Sequence, residues 1–304
     1  MREKSTLARE LMRLLPGQVR LDEPMKLHTT WRIGGPADLF VEPDGVASLA
    51  QALAFARREN LPVTVIGNGS NLLVKDGGIR GLVVKIGGGF RWLNIQGSRI
   101  TAGAGTGLAR LTGAAKEAGV GGFEFLAGIP GTVGGAVVMN AGAFGKATSD
   151  LCESVQLMDE TGRLAERPGA ALGFGYRTSN LQGSKLIVIA AVFRGTYREP
   201  QAIQAEMEDL FNRRKKTQPL GHPSAGSVFR NPPGVSAGFL IEHAGGKGMR
   251  AGDAAVSPVH ANFIVNLGSA TARDVLKLIE QVKIAVREKY AIELKPEVQI
   301  IGED

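Results

Sequence analysis

Residues 128–145 read GIPGTVGGAVVMNAGAFG, and the rest of the chain is organised around this stretch. It contains too many glycines for an ordinary core helix, because each interior glycine costs about 1 kcal/mol relative to alanine. It contains too many apolar residues for a flexible linker. Glycine backbone allows close approach of a ligand and leaves N–H groups accessible, which suits phosphates or an electron-rich ring. The alternative is a glycine-rich turn packed between two layers without a ligand.

A second glycine-rich loop follows a short apolar run at residues 62–66. Residues 67–73 read GNGSNLL, so small residues expose backbone N–H groups, and serine and asparagine add side-chain donors. The loop lacks the Lys-Ser/Thr of a P-loop and the GxGxxG that opens a dinucleotide-binding helix. We expect a cradle for an anion that belongs to neither motif, with a plain β-turn as the alternative.

Composition indicates a globular chain with two or three compact units. The 304 residues are 43% apolar and 21% charged, and the formal net charge is +7. The one dense basic run, residues 213–216, has no interleaved aromatic residues for base stacking. It predicts the solvated end of a helix or a contact with a diphosphate, and we expect no nucleic-acid partner.

The sequence offers no disulfide, no metal-binding pattern and no candidate membrane segment. A single cysteine, Cys152, rules out an internal disulfide, and we expect it to be a small buried hydrophobe. The four histidines show no metal-binding spacing, so no metal site is predicted. The N-terminal residues lead into an amphipathic segment, and no run approaches 18 apolar residues. We expect a cytoplasmic protein with no membrane insertion.

Periodicity predicts intermixed helices and strands, which is an α+β class. Helical spacing is found at residues 5–15, 46–55, 108–118 and 200–216, and again after the capping-box-like Thr271. Alternating or continuous apolar runs predict strands at residues 39–41, 62–66, 82–86, 99–104, 154–158, 185–194, 262–267 and 292–301, the last interrupted by Pro296. A shift to proline and glycine at residues 217–223 predicts a domain boundary.

Three residues outside the glycine-rich stretches are candidates for chemistry. Arg177 lies in the polar segment GYRTSN at 175–180, Ser227 in AGSVFRNP at 225–232, and Glu297 in KPEVQI at 295–300. Each has an ordinary alternative: a surface salt bridge, a turn, and an exposed strand residue.

Six segments taken in order resemble one family, the UDP-N-acetylenolpyruvoylglucosamine reductases of peptidoglycan precursor synthesis. They are TWRIGGPAD at 30–38, GNGSNLL at 67–73, GIPGTVGG at 128–135 with NAG at 140–142, YRTS at 176–179, AGSVFRNP at 225–232 and PEV at 296–298. The resemblance covers about residues 25–301. Six ordered motifs are far more specific than any one of them.

The resemblance implies a fold and a cofactor. It implies an FAD-binding domain of the vanillyl-alcohol-oxidase (PCMH) type in two subdomains, residues 1–84 rejoined by 290–304 and residues 85–216. A smaller α+β substrate-binding domain would span 217–289. FAD would be bound without a covalent link by Ile66, Gly67, Asn68, Gly69, Ser70, Asn71, Leu72, Gly128, Pro130, Gly131, Thr132, Gly134, Gly135, Asn140 and Gly142.

It also implies a reaction. NADPH would deliver hydride to the flavin and leave, and flavin N5 would pass it to C3 of UDP-N-acetylglucosamine enolpyruvate, giving UDP-N-acetylmuramate. Ser227 would protonate C2, while Arg177 and Glu297 would stabilise charge on the carboxyl group. The substrate would be held by Arg214, Lys215, Gly226 and Asn231. We expect a monomer.

Some members of the family carry a long insertion with a tyrosine that folds over the substrate. The segment from Arg177 to Lys185 is short and has no tyrosine after Tyr176, so the chain resembles the subclass without it. Two alternatives remain: another FAD oxidoreductase of this fold acting on a hydroxy acid or alcohol, or a non-catalytic flavin- or nucleotide-sugar-binding protein. Many enzymes of the first kind attach FAD through histidine or cysteine, and neither residue occurs in the two glycine-rich loops.

Overall fold

The computed structural model describes residues 2–304. Helices and strands are intermixed along the chain, so the predicted α+β class is confirmed. No helix in the described range has both the length and the apolar character needed to cross a membrane. The helices are α1 (Lys4–Leu14), α2 (Val46–Arg58), α3 (Leu108–Glu117), α4 (Val133–Met139), α5 (Pro200–Thr217), α6 (Ala237–His243) and α7 (Ala272–Tyr290).

The strands of residues 2–304 form three larger sheets and three two-stranded pairs. They are β1 (Val19–Pro24), β2 (Pro36–Val41), β3 (Val63–Ile66), β4 (Leu72–Val74), β5 (Ile79–Lys85), β6 (Leu93–Gln96), β7 (Arg99–Gly103), β8 (Val120–Gly121), β9 (Gly142–Ala143), β10 (Lys146–Ala147), β11 (Cys152–Met158), β12 (Leu164–Pro168), β13 (Ile187–Arg194), β14 (Thr196–Tyr197), β15 (Arg250–Ala251), β16 (Ala254–Val256), β17 (Ile264–Asn266) and β18 (Gln299–Ile301). The sheet orders are β1-β2-β5-β3, β12-β11-β13-β7-β6 and β15-β16-β17, and the pairs are β10-β9, β14-β8 and β18-β4.

The chain divides into two compact units, each built from separate segments. The first unit comprises Met1–Leu21, Asp38–Asn68 and Gly81–Arg213. The second comprises Asp22–Ala37, Gly69–Arg80 and Arg214–Asp304. Each unit has its own cluster of buried apolar side chains.

The core of the first unit is centred on strand β13. This strand lies between β11 and β7 in an antiparallel sheet, with Ala190 opposite Gly103 on one side and Gln156 on the other. Its apolar side chains are buried along nearly its whole length, as a continuous apolar run predicts for a strand covered on both faces. Helix α4 packs against β13. The glycine-rich stretch is thereby placed on the most buried strand of the unit.

The core of the second unit is organised by Trp31, whose side chain is fully buried. Its Nε1 donates to the carbonyl oxygen of Ile264 at 2.8 Å, and its own carbonyl oxygen accepts from Asn266 Nδ2 at 3.0 Å. Removing a buried tryptophan typically costs about 3–5 kcal/mol. The motif at residues 30–38 is therefore held to strand β17 by a side chain that is both a large apolar group and a hydrogen-bond donor.

Helix α7 begins with the capping box predicted at Thr271. Thr271 Oγ1 accepts from Asp274 N, and Asp274 Oδ2 accepts from Thr271 N. Asp76, which follows β4 in the chain, adds acceptors for the N–H groups of Ala272 and Arg273 at 2.9 and 3.0 Å. The N-terminal N–H groups of a helix have no intrahelical partners, so this distant aspartate completes the cap.

Two predicted strands are shorter than expected. The strand predicted at residues 292–301 is confined to Gln299–Ile301, which pairs in parallel with β4. Pro296 forms only an isolated bridge with Phe229, because proline offers no N–H to a ladder. The strand predicted at 262–267 is reduced to Ile264–Asn266, since Asn262 is occupied by side-chain hydrogen bonds to Phe229.

Candidate active site

The stretch at residues 128–145 is not all loop, and the expectation that it is too glycine-rich for a core helix was wrong for its middle part. Residues Val133–Met139 form helix α4, with Thr132 as N-cap accepting from Gly135 N at 3.3 Å. A Cβ atom on Gly134 would lie 3.0 Å from the Cβ of Ala104. Glycine is therefore needed because the helix packs directly on neighbouring backbone, and that contact offsets the low helix propensity.

The two glycine-rich segments meet within the first unit. Gly67 follows the buried Ile66 at the end of β3, and a Cβ atom there would lie 2.7 Å from Thr132 Oγ1. The loop at Gly131 is held by Leu108 N, which donates to its carbonyl oxygen at 3.1 Å. Residues far apart in the sequence thus lie side by side, and the absence of a side chain at Gly67 leaves room for Thr132.

These segments suit an anionic group. Within residues 2–304, the backbone N–H groups of Asn68, Gly128, Gly131 and Thr132 have no hydrogen-bond acceptor. In the second unit the N–H groups of Gly69 and Ser70 likewise have none in the described chain. Backbone donors of this kind are the usual partners of phosphate oxygens. The donors of each unit therefore suit phosphate oxygens such as those of the FAD pyrophosphate.

The part of the second loop that lies in the second unit is tightly fixed. Gly69 has a φ of +62°, and a Cβ atom there would lie 2.1 Å from the carbonyl oxygen of His28. Asn71 Nδ2 donates to the carbonyl oxygen of Glu297 at 3.2 Å, and Asn71 O accepts from Gln299 N at 2.9 Å. Leu72 then begins β4. The loop is thereby joined to the segment that carries a predicted catalytic residue.

Ser227 and Glu297 are brought together on neighbouring backbone segments of the second unit. Glu297 N donates to the carbonyl oxygen of Val228 at 2.7 Å. On the other side, Val228 N donates to the carbonyl oxygen of Asn262 at 2.8 Å, and Asn262 clamps both backbone groups of Phe229 with its side-chain amide. Ser227 and Glu297 are both half-buried. Sequence analysis missed Asn262, although an asparagine beside a predicted strand is a signal for such a clamp.

A neutral histidine supports this clamp. His260 Nδ1 accepts from Asn262 N at 3.1 Å, which requires an unprotonated Nδ1. Burial lowers the pKa of His260, in agreement with a neutral ring. His260 thereby helps to fix the asparagine on which the Ser227 segment rests.

Arg177 lies in the first unit on a tight turn. Its backbone has a φ of +56°, and the flanking residues Gly175 and Thr178 form an isolated antiparallel β-bridge. Its Nη2 donates to the carbonyl oxygen of Gly142 at 2.9 Å, and its guanidinium lies 5.1 Å from the centre of the Tyr176 ring. Arg177 is half-buried, and a guanidinium presents planar donors of the kind that suit a carboxylate.

Asn140 and Gly142, predicted to hold the cofactor, have local structural partners. Asn140 ends α4 with a left-handed backbone, and its side chain donates to Gly175 O at 2.9 Å and accepts from Ser149 N at 2.9 Å. Gly142 lies in β9, where a Cβ atom would be 2.3 Å from the carbonyl oxygen of Lys146. Both residues shape the support of Arg177, and their contact with a cofactor stays a prediction.

The four predicted substrate contacts fall into two groups. Arg214 is buried in the last turn of α5, with Nη1 3.4 Å from Gln218 Oε1, and Asn231 Oδ1 accepts from Ala237 N at the start of α6. Lys215 is exposed, and Gly226 has a φ of +75° with open space where a Cβ atom would be. Their role toward a substrate stays a prediction.

A buried carboxylate that sequence analysis missed lies just before the glycine-rich stretch. Glu124 has no exposed surface, its Oε2 accepts from Gly122 N at 2.7 Å, and its Oε1 accepts from Arg198 Nη1 at 2.7 Å. The same Arg198 nitrogen pairs with Glu206 on α5. A lone acidic residue between two phenylalanines, in FEFLAG at 123–128, is the signal that could have identified it.

We expect Glu124→Ala to destabilise the protein by about 3 kcal/mol, because it leaves a buried N–H group and Arg198 without this partner. Urea unfolding of the apoprotein measures the change. The matched control is Glu206→Ala, which removes the half-exposed partner of the same arginine and should cost less than about 1 kcal/mol. Equal losses in the two variants would contradict a structural role for Glu124.

Cys152 is half-buried at the start of β11 and has no metal-binding neighbours. Burial, with a smaller contribution from the charge of Glu153, raises the pKa of the thiol to about 11. Within residues 2–304, no group of three or more histidine, cysteine, aspartate or glutamate side chains is placed to hold a metal ion. The thiol is therefore almost entirely protonated at neutral pH, which makes it a poor nucleophile.

We expect iodoacetamide to alkylate native Cys152 about 100-fold more slowly than an unperturbed thiol at pH 8, since about two units of pKa separate their thiolate fractions. In concentrated urea the rate should rise to that of the unperturbed thiol. Mass spectrometry of timed samples gives both rates. Rapid labelling of the folded protein would refute the raised pKa.

Comparison with known proteins gives a consistent result. The family model described as "FAD binding domain" matches residues 37–166, and the one described as "UDP-N-acetylenolpyruvoylglucosamine reductase, C-terminal domain" matches residues 218–301. The chain is 50% identical to the UDP-N-acetylenolpyruvoylglucosamine reductase of Desulforamulus reducens over 99% of both chains. It is 46% identical to that of Caldanaerobacter subterraneus over 95% of this chain and 96% of the relative.

A solved structure agrees with these relatives. The crystal structure of the UDP-N-acetylenolpyruvylglucosamine reductase from Thermus caldophilus superposes with a TM-score of 0.80 at 38% identity. It covers 93% of this chain and 98% of its own. The match extends over both family models, so the flavin-binding fold predicted from the motif resemblance is confirmed.

Proposed function

Because the chain belongs to the UDP-N-acetylenolpyruvoylglucosamine reductase family, we propose that Ser227, Arg177 and Glu297 carry out the reduction of an enolpyruvyl ether. The chain is an FAD-dependent oxidoreductase of peptidoglycan precursor synthesis. Its substrate is UDP-N-acetylglucosamine enolpyruvate, its product UDP-N-acetylmuramate and its co-substrate NADPH. The observation that carries the assignment of roles is the 2.7 Å hydrogen bond from Glu297 N to Val228 O, which places Glu297 beside the Ser227 segment.

FAD, when bound, supplies hydride transfer from NADPH to C3 of the enolpyruvyl group. The backbone N–H groups of Asn68, Gly69, Ser70, Gly131 and Thr132 would hold its pyrophosphate. The remaining predicted contacts, Ile66, Gly67, Asn71, Leu72, Gly128, Pro130, Gly134, Gly135, Asn140 and Gly142, would shape the surface around it.

The protein residues handle charge and protons. Addition of hydride at C3 leaves a carbanion at C2 that is delocalised into the carboxyl group. Arg177 presents a planar set of donors to that carboxyl group, and preorganised charge of this kind is often the largest contribution to catalysis. A serine hydroxyl is a weak acid, but the carbanion is a strong base, so Ser227 can donate a proton to C2. Glu297 stabilises the same carboxyl group, either as a protonated acid or through a positioned proton.

We assign the flavin-binding subdomains to residues 1–84 with 290–304 and to 85–216, and the substrate-binding domain to 217–289. Lys215 and Gly226 are open to the nucleotide-sugar, whereas Arg214 and Asn231 would have to share their side chains with helix contacts. We propose a monomer that acts in the cytoplasm.

Two half-reactions test this function. Purified protein should show flavin absorbance that bleaches with NADPH and returns under anaerobic conditions when UDP-N-acetylglucosamine enolpyruvate is added. A flavin that bleaches but is not reoxidised by the sugar would indicate another flavin oxidoreductase. A protein that cannot be reconstituted with FAD would refute the proposal, and bound flavin without either half-reaction would indicate a binding protein.

A further inference from the structure

The turn that carries Arg177 is attached to the last turn of helix α4. Ser179 Oγ donates to the carbonyl oxygen of Val138 at 2.7 Å, and Asn140 Nδ2 donates to Gly175 O at 2.9 Å. The last carbonyl groups of a helix have no intrahelical partners, so they are available as acceptors. The same helix starts at the flavin-binding surface, which makes it a short rigid link between that surface and the arginine.

Gln182 is the residue that reaches both the helix and the arginine. Its Nε2 lies 2.9 Å from the carbonyl oxygen of Arg177, 3.3 Å from that of Val138 and 3.2 Å from Met139 Sδ. All three partners are acceptors, so the nitrogen end of the amide must face them. Gln182 thereby joins the backbone of Arg177 to the last turn of α4.

The segments held here adopt uncommon backbone conformations. Seven non-glycine residues in the described chain have positive φ, and three of them are Asn140 (+45°), Phe144 (+55°) and Arg177 (+56°). Such conformations persist only where the surrounding structure enforces them, and they concentrate at functional sites. Gln182 supplies one of the hydrogen bonds that enforce the conformation at Arg177.

We propose that Gln182 is a positioning residue for the reaction. It fixes the carbonyl group of Arg177, and Gly142 O fixes one end of the guanidinium, so that the remaining donors are aimed at the carboxyl group of the enolpyruvyl substrate. The inference rests on the proposed function, since it takes Arg177 to act on the substrate. It adds a residue outside the six motifs to those that act when the sugar reoxidises the reduced flavin.

The test is Gln182→Glu, which keeps the side-chain shape but places carboxylate oxygens against two carbonyl oxygens. We expect reoxidation of the NADPH-reduced enzyme by the sugar to slow by about 10²-fold, as displacement of a catalytic group by about 1 Å can cause. Reduction by NADPH, flavin content and the flavin spectrum should be unchanged. Gln96→Glu makes the same chemical change on the exposed strand β6 and should leave both half-reactions unchanged.

Gln182→Ala removes the donors without adding charge and gives the same test if the glutamate variant does not fold. Unchanged reoxidation in the folded variant overturns the inference. Equal slowing of both half-reactions overturns it too, because it indicates that the substitution disturbs the active site as a whole. Arg177→Ala distinguishes the proposed role of Arg177 from that of Gln182. If its reoxidation is also undiminished, the proposed role of Arg177 itself is wrong, whereas a slow Arg177→Ala beside a fast Gln182→Glu refutes the positioning role alone.

Discussion

Ser227→Ala is expected to lower turnover by about 10²–10⁴-fold, the usual contribution of a positioned general acid. The flavin should remain bound, and NADPH should still reduce it at the normal rate, because Ser227 is proposed to act only after hydride reaches the substrate. The backbone that carries Ser227 is held by Asn262 and Glu297 through main-chain groups, so loss of one hydroxyl leaves that frame intact. Stopped-flow absorbance of the two half-reactions separates these steps.

Ser224→Ala is the matched control for this variant. Ser224 lies three positions earlier, and the contact it makes with Thr30 uses its backbone carbonyl oxygen at 2.7 Å. Both half-reactions should therefore be unaffected by loss of its hydroxyl. A Ser227→Ala enzyme that is reoxidised by the sugar as fast as the control would require another proton donor.

Gly69→Ala should abolish flavin retention and destabilise the second unit by roughly 2–5 kcal/mol. A Cβ atom at this position would lie 2.1 Å from His28 O and 2.8 Å from Thr29 Cα, and both are backbone atoms that cannot rotate away. The φ of +62° adds the strain of a left-handed conformation. Flavin content after purification and urea unfolding of the apoprotein measure the two effects.

Gly245→Ala separates the steric contribution from backbone strain. Gly245 also lies in the second unit and has a φ of +79°, but no heavy atom lies within 4 Å of its Cβ position. Its free energy of unfolding should fall by only roughly 1 kcal/mol, the strain of an alanine with a left-handed backbone, and the flavin should stay bound. If the two alanine variants behave alike, the close approach to His28 does not hold the loop.

Helices with long apolar periodicity were predictable from sequence because the signal is local and repeated. In α7 the stripe of Val275, Leu278, Ile279 and Val282 is buried as the spacing predicts, and the capping box at Thr271 marks its start. The buried strand β13 was equally clear from its continuous apolar run. In these elements the same residues set the local conformation and form the core.

Helix α4 was not predictable, because its stability comes from a contact outside it. Gly134 lowers the helix propensity of the segment and at the same time lets it pack on Ala104. The low helix propensity is visible in the local sequence, whereas the favourable packing requires Ala104, about thirty residues earlier in the chain, to be in place.

The polar supports of the site were missed for a related reason. Glu124, Asn262 and Gln182 each act through partners distant in sequence or through main-chain groups, so no spacing identifies them. The candidates Ser227, Arg177 and Glu297 came from resemblance to a family, since each residue alone had an ordinary alternative. Their chemistry suits an enolpyruvyl ether, but nothing in their local sequence would have selected them.

The hydrogen bond from Trp31 to Ile264 spans 233 positions and therefore has a consequence for protein synthesis. At roughly 5–20 residues per second, the indole waits about 12–47 s on the ribosome before its acceptor exists. Ile33 and Leu73 belong to the same buried cluster and likewise lack their C-terminal packing partners during this time. Every segment of the first unit has been translated by residue 213. A ribosome that stalls after residue 213 but before Ile264 thus carries a chain with exposed apolar side chains. We expect chaperones and proteases to recognise such products.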